Sequence, residues 1–261
     1  MRKLIKLGMT VAPIPIIASA LIAALALAAG TPGAARAQAL MHHSAPRIHL
    51  NHVDGRNSQS TNWSGYANTG AQFKTVKGSW TQPSVTCGAG QTAYSSFWVG
   101  IDGDTTNTVE QTGTDSDCSS GTPTYYAWYE MYPKFPVNLS QPVSPGYSIT
   151  ASVTTSGNGS FTLTISDNSK GWTFSTNQRS KKAKLGSAEW IAEAPSSSGG
   201  VLPLANFGTV NFTNCSANGL SISANPNPDA ITMVTSSGTV KAQPSGLGSG
   251  GASFSVTWKH S

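Results

Sequence analysis

From Ser58 to the C-terminus, apolar and polar residues alternate with a period of two in one short run after another. Phe97, Val99 and Ile101 alternate with Trp98, Gly100 and Asp102, and Tyr125, Ala127, Tyr129 and Met131 with Tyr126, Trp128, Glu130 and Tyr132. Runs around Ile149, Leu163, Val210, Ile231 and Val256 repeat the pattern. A period of two sends alternate side chains to opposite faces of an extended strand. Such runs, punctuated by Gly, Pro, Asn and Ser, predict a β-sandwich or barrel. No window after Ser58 carries the 3.6-residue period of an amphipathic helix. There is no internal repeat, and Ser196–Gly200 and Gly246–Gly251 read as loops. Residues 59–261 are therefore expected to form a single all-β domain.

Composition narrows the class. Charged residues make up 10% of the 261, against roughly 25% in an average soluble domain. Coiled coils, helical bundles and solvated charged tails all need more Glu and Lys than this. The aromatic content (7 Trp, 7 Tyr and 8 Phe) excludes disorder. The net charge of +5 owes much to Arg2, Lys3, Lys6 and Arg36, near the N-terminus. From Ser58 onward, 10 basic residues face 10 acidic ones. So balanced a body has no overall cationic footprint, which argues against nucleic acid as a partner.

The N-terminus reads as a removable signal, residues 1–39. Arg2, Lys3 and Lys6 form a positive start, an apolar stretch runs to Gly30, and Ala37-Gln38-Ala39 is a small-x-small cleavage pattern. A membrane anchor is the competing reading, since the stretch approaches the roughly 20 residues needed to span a bilayer. Pro13, Pro15 and the cleavage pattern favour a signal peptide. The expectation is an extracellular protein with no membrane attachment once the signal is cut. Residues 40–58 hold four of the five histidines (His42, His43, His49 and His52). Their spacing matches no metal-ligand pattern, so the segment reads as a leader or propeptide. Export suits a disulfide. Cys87 and Cys118 lie in turn-like contexts either side of a strand pair and are expected to bridge, leaving Cys215 as a buried, inert thiol.

Elimination narrows the chemistry. The body has one histidine, His260, next to the C-terminus, so Ser-His and Cys-His nucleophiles lack a base. Zinc sites fail for want of ligands, no Gly-rich loop opens a helix to cradle phosphate, and no cofactor is expected. Catalysis would fall to carboxylates and amides. Alternation puts Trp98 with Asp102 on one face, and Trp128, Glu130 and Tyr132 on another. Glu189 and Glu193 share a face with Ile191. Gln111 shares one with Val109, and Glu110 points the other way. Periodicity does not say which strands are neighbours. A groove lined by these groups and an ordinary sheet surface both stay open at this point.

Six motifs occur in order: Asn62-Trp63-Ser64-Gly65-Tyr66, Trp98-Val99-Gly100-Ile101-Asp102-Gly103, Gln111-Thr112-Gly113, Ala127 to Pro133, Ala188-Glu189-Trp190-Ile191-Ala192-Glu193, and Phe207-Gly208-Thr209-Val210. Together they resemble the glutamic peptidases (eqolisins), acid-acting secreted endopeptidases of fungi with bacterial relatives. The resemblance implies a lectin-like antiparallel β-sandwich with its active site on the concave sheet, polypeptide substrates and a monomer insensitive to pepstatin. It also implies a catalytic dyad of Gln111 and Glu189. Trp98, Asp102, Trp128, Glu130 and Tyr132 fall at positions that bind substrate or support the site. Glu110 departs from the fungal pattern, as do the cysteines.

The chemistry is self-consistent. A carboxylate can take a proton from water and return it to the leaving amine, while a neutral amide donates to the oxyanion. Two rivals share the architecture. A glycoside hydrolase would use Glu189 and Glu193, but same-face residues four apart stand roughly 13 Å from each other, beyond the separation of about 5–9.5 Å that either glycosidase mechanism needs. A non-catalytic carbohydrate-binding module would explain the aromatics, but not Gln111 with Glu189.

Overall fold

The computed structural model describes residues 46–51 and 57–261, with side chains from 46–49 and 57–261. The expected signal peptide lies outside them. One sheet runs, by neighbour, Pro228–Val234, Trp63–Thr69, Ser187–Glu193, Ser96–Ile101, Val109–Ser119, Thr122–Tyr132, all antiparallel. The other runs Trp172–Arg179, Ser160–Asp167, Ser148–Thr155, Thr75–Thr81, Thr209–Ala217, Phe254–Trp258, again antiparallel. Val240–Pro244 pairs with Phe254–Trp258 and with Pro228–Val234, joining the two sheets at one edge. Among the described residues, helix is confined to two 3₁₀ turns, Ile222–Ala224 and Ser249–Gly251. The fold is an antiparallel β-sandwich, as the resemblance implies and one of the two architectures, sandwich or barrel, that the alternation allows.

The core lies between the sheets. Phe97, Val99, Ile101 and Trp190 of the first pack with Trp80, Ile149, Val153, Leu163 and Phe212 of the second. Each such side chain contributes about 1.5–3 kcal/mol by leaving water. Indole N–H groups are satisfied across the gap: Trp190 donates to the Lys77 carbonyl at 2.7 Å and Trp80 to Thr114 Oγ1 at 2.9 Å. The opposite face of the first sheet carries a second cluster, Trp63, Ala67, Trp98, Val109, Trp128, Ile191 and Ile231. Strands Ser96–Ile101 and Ser187–Glu193 are consequently buried on both faces. Gly113 makes room there, because a Cβ at this position would come within 2.2 Å of the Phe97 carbonyl oxygen.

Cys87 and Cys118 are bridged, their Cα atoms 5.6 Å apart, and Cys215 is free and buried. The bridge ties the segment before Ser96 to the far end of Val109–Ser119. Among the described residues, no helix is long and apolar enough to cross a membrane.

The leader departs from expectation. The sequence shows no packed strand before about Asn57, yet His49–Asn51 forms a strand against Asn57–Ser60. Asn57–Ser60 in turn pairs in parallel with Pro228–Val234, an exception in an otherwise antiparallel architecture. What anchors the segment is one buried cation, which hydrophobic periodicity cannot report. Arg47 donates to Asp104 at 2.5 Å, to Asp229 at 2.9 Å and to Ser58 Oγ.

Candidate active site

Cross-strand register assembles the site. Glu189 stands opposite Gly100, Gly100 opposite Gln111, and Gln111 opposite Glu130. On the other side Glu189 pairs with Ala67, and Ala67 with Asp229. Directly opposed residues of antiparallel strands point to the same face. Glu189, Gln111 and Glu130 therefore form one row, on the face away from the main core. Adjacent strands are about 4.8 Å apart, so the Cα atoms of Glu189 and Gln111 stand about 10 Å apart. Gly100 has no side chain of its own, and the Trp98 ring lies over it between them. A Cβ there would come within 2.9 Å of the Trp98 ring.

The next row along the strands is Ile191, Trp98, Gly113 and Trp128, and the one beyond holds Glu193, Ser96, Asp115 and Tyr126. Polar groups hold these rings in place. Trp98 donates its indole N–H to Glu193 at 2.8 Å, and Trp128 donates to Asp115 at 2.6 Å. Trp63 packs edge-on against Trp98, centroids 5.0 Å apart. Tyr126 donates towards both Asp115 and Asp117. Asp117 is pushed well above the usual carboxylate range by burial and by the Asp115 charge.

Gln111 is fully buried and donates from Nε2 to Glu130 Oε2 at 3.0 Å. Its Oε1 has no hydrogen-bond partner, and neither has either carboxylate oxygen of Glu189 in good geometry. Burial drives the Glu189 pKa well above its ordinary value. The Ser187 hydroxyl, two residues earlier on the same face, opposes the shift, while the charges of Asp104, Asp102 and Glu110 add to it. Glu193 is raised chiefly by burial, an effect its bond from Trp98 reduces. A buried carboxyl with a raised pKa on the same face as a buried amide is the kind of environment from which general acids and bases are drawn.

Asp102 takes a different position from the one alternation assigns. It leaves the strand with φ of 70° and turns away from the row. Its carboxylate accepts backbone N–H bonds from Lys184 (2.8 Å), Leu185 (2.9 Å) and Gly186 (2.8 Å), pinning the loop that leads into Ser187–Glu193. Glu110 points to the opposite side from Gln111, as expected. At the sheet's end, however, it is close enough for its charge to reach Glu189, and burial raises its own pKa to about 8. Tyr132, half-buried, lies one row from Glu130 beside a cleft.

Sequence reasoning missed Arg47, Asp104 and Asp229 at one flank of the row. It also missed Asp115 and Asp117, although both share Gln111's parity and the same alternation would have placed them on its face.

The Peptidase A4 family model matches residues 61–258. The chain belongs to the Peptidase A4 family. It is 32% identical over 210 residues to aspergillopepsin-2 of Aspergillus niger, covering 71% of this chain and 74% of that protein. To scytalidopepsin B of Scytalidium lignicola it is 34% identical over 186 residues, covering 67% and 70%. Among solved structures, scytalido-glutamic peptidase with a transition state analog inhibitor aligns at a TM-score of 0.64 with 29% identity, over 76% of this chain and 98% of that one. Aspergilloglutamic peptidase from Aspergillus niger aligns at 0.57 with 30% identity, over 64% and 99%. The protein is thus a glutamic endopeptidase of the eqolisin family, acting on polypeptides. Neither rival sugar-directed reading is favoured.

Proposed function

We propose that this eqolisin is a secreted, acid-acting endopeptidase in which Gln111 and Glu189 form the catalytic dyad. The observation that carries the reading is the row itself: an amide and a carboxyl on one face of the sheet, on either side of a glycine on which the Trp98 ring packs. Ionised Glu189 takes a proton from the attacking water and then returns it to the leaving amine. Gln111 has two amide hydrogens. Glu130 holds one, which fixes the plane of the amide and leaves the other for the oxyanion of the tetrahedral intermediate. A neutral amide keeps this role in acid, where a second carboxylate would share a proton with the first.

The leader belongs to the same reading. Residues 1–39 act as the export signal, and the leader stays until it is cut. Arg47 ties it to Asp104 and Asp229, which flank Glu189, and Gln111 and Glu189 are both fully buried in this state. The mature enzyme begins between about Asn57 and Asn62, with the row open to water and substrate. Water entering the cleft weakens the burial that raises Glu189, bringing it towards the acid working range. Secreted protein incubated with casein at acid pH, beside a polysaccharide-release assay, tests the reading. Peptide release that is stronger in acid than at neutral pH, with no sugar release, is the expected result. Peptide release only at neutral pH would overturn the acid assignment.

A further inference from the structure

Lys181, Lys182 and Lys184 sit in the loop between Trp172–Arg179 and Ser187–Glu193, and all three are exposed. With Thr105, Thr108, Tyr132 and, from the leader, Pro46, they line a cleft of about 830 Å³ in the unprocessed chain; removal of the leader takes away Pro46 and leaves the lysine wall. Register fixes where the cleft lies. Tyr132 pairs with Val109, one same-face step beyond the Gln111–Glu130 pair. That step is about 7 Å, the span of two residues of an extended peptide. The loop is not slack: its backbone is pinned by the three bonds to Asp102, and Leu185 takes a left-handed φ of 59°. Lys184 therefore springs from a fixed base at the edge of the site, with Lys181 and Lys182 just ahead of it in the same loop.

Charge gives the cleft a chemical preference. From Ser58 onward, all 10 carboxylate side chains are buried, whereas every basic side chain except Lys241 is exposed. Of the acids nearest the cleft, Asp102 holds the loop backbone and Glu110 is buried; Asp104 is paired with Arg47 in the unprocessed chain and loses that partner when the leader is cut. Lys134 follows Pro133, which also lines the cleft, and Arg179 begins the lysine loop, so both add charge of the same sign. Among the described residues, none of the three lysines stands in an ion pair.

We propose that the cleft lined by Lys181, Lys182 and Lys184 is a substrate subsite that selects an acidic side chain, Asp or Glu, near the scissile bond. The proposal rests on the Gln111–Glu189 row being the catalytic centre. Exposed pairs are individually weak, so a preference of about five- to tenfold is expected when two or three act together.

The test uses processed enzyme and quenched fluorogenic peptides identical except at one position, which carries Gln, Glu or cysteic acid and is moved stepwise across the cleavage site. A Glu side chain ionises around pH 4.3, whereas the sulfonate of cysteic acid stays ionised in acid. At one position, kcat/KM should favour cysteic acid over both Gln and Glu at pH 3, and favour cysteic acid and Glu alike over Gln at pH 5. Added salt should shrink the preference. In the triple variant Lys181→Ser, Lys182→Ser, Lys184→Ser the cysteic acid to Gln ratio should fall to near one, and in the Lys→Arg triple it should persist. A ratio near one at every position in the wild type, with Gln peptides still cleaved, overturns the subsite and leaves the dyad standing. A preference that survives the Ser triple also overturns it. Failure of the folded, processed enzyme to cleave any peptide overturns the dyad reading, and the subsite with it.

Discussion

Gln111 and Glu189 stand two strands apart on one cross-strand row, and the residue between them is Gly100, which contributes no side chain. This relationship turns two modest motifs into a site. The strand order places them two strands apart, the shared register turns them to one face, and the glycine between them lets the Trp98 ring pack against the sheet.

The bond from Gln111 to Glu130 separates a donor from the group that orients it. Gln111→Ala should lower kcat about 10²–10³-fold, the scale of losing one oxyanion donor. Glu130→Ala removes one hydrogen bond behind that donor and should cost about tenfold. Steady-state kinetics on a single peptide measures both. Equal losses in the two variants would contradict the division of roles.

Arg47 should hold the leader down. It is buried and paired with two carboxylates, and removing one partner of a buried pair typically costs about 3–5 kcal/mol. Arg47→Ser in the unprocessed chain should therefore raise peptidase activity and speed cleavage within the leader. N-terminal sequencing of active wild-type material should give a start between Asn57 and Asn62. An active enzyme that keeps residue 47 at its original affinity for the body would contradict the covering role.

Stability should be greatest in acid. Glu110, Glu189, Glu193 and Asp117 all have pKa values above their ordinary ones, with burial the leading cause in each. The folded state thus holds these protons more tightly than the unfolded chain does. The stability they contribute is fully present below the unfolded carboxyl range, about pH 4, and is lost as pH rises through the folded values, about 8 for Glu110. Tm should be highest near pH 3–4 and fall towards pH 8, and Glu110→Gln should flatten part of that fall. A Tm that climbs from pH 4 to pH 8 would run against this account.

Much of this was legible in the sequence, because a period of two is the signature of a strand and also assigns faces. Alternation put Gln111 and Glu110 on opposite sides, grouped Trp128 with Glu130 and Tyr132, and ruled out helices. It could not supply strand order, so the association of Gln111 with Glu189 came from resemblance, and the row through Gly100 to Glu130 came only with the register. Asp102 escaped because a left-handed φ ends the alternation at that residue. Arg47 escaped because a single buried cation leaves no periodic trace. Net charge misled in another way: equal numbers of acids and bases conceal that the acids are buried and almost all the bases exposed. The surface is cationic although the formal sum is near zero, so the sum alone does not argue against an anionic partner.

The dyad is tested most directly by turnover of Glu189→Gln at acid pH, with Glu193→Gln as its control. Glu193 shares the face but accepts from Trp98 and, at 3.4 Å, from Asn62; in Glu193→Gln the single amide oxygen can keep the shorter bond from Trp98 while the longer one from Asn62 is lost. Near-ultraviolet circular dichroism from the 7 Trp establishes that each variant is folded, and pepstatin should leave the wild type active because no paired-Asp centre is involved. The account predicts that folded Glu189→Gln loses at least about 10²–10⁴-fold in kcat, the reach of general acid–base catalysis, while Glu193→Gln retains turnover. Folded Glu189→Gln with near-wild-type turnover would contradict it, and a dead Glu193→Gln beside it would move the base to Glu193.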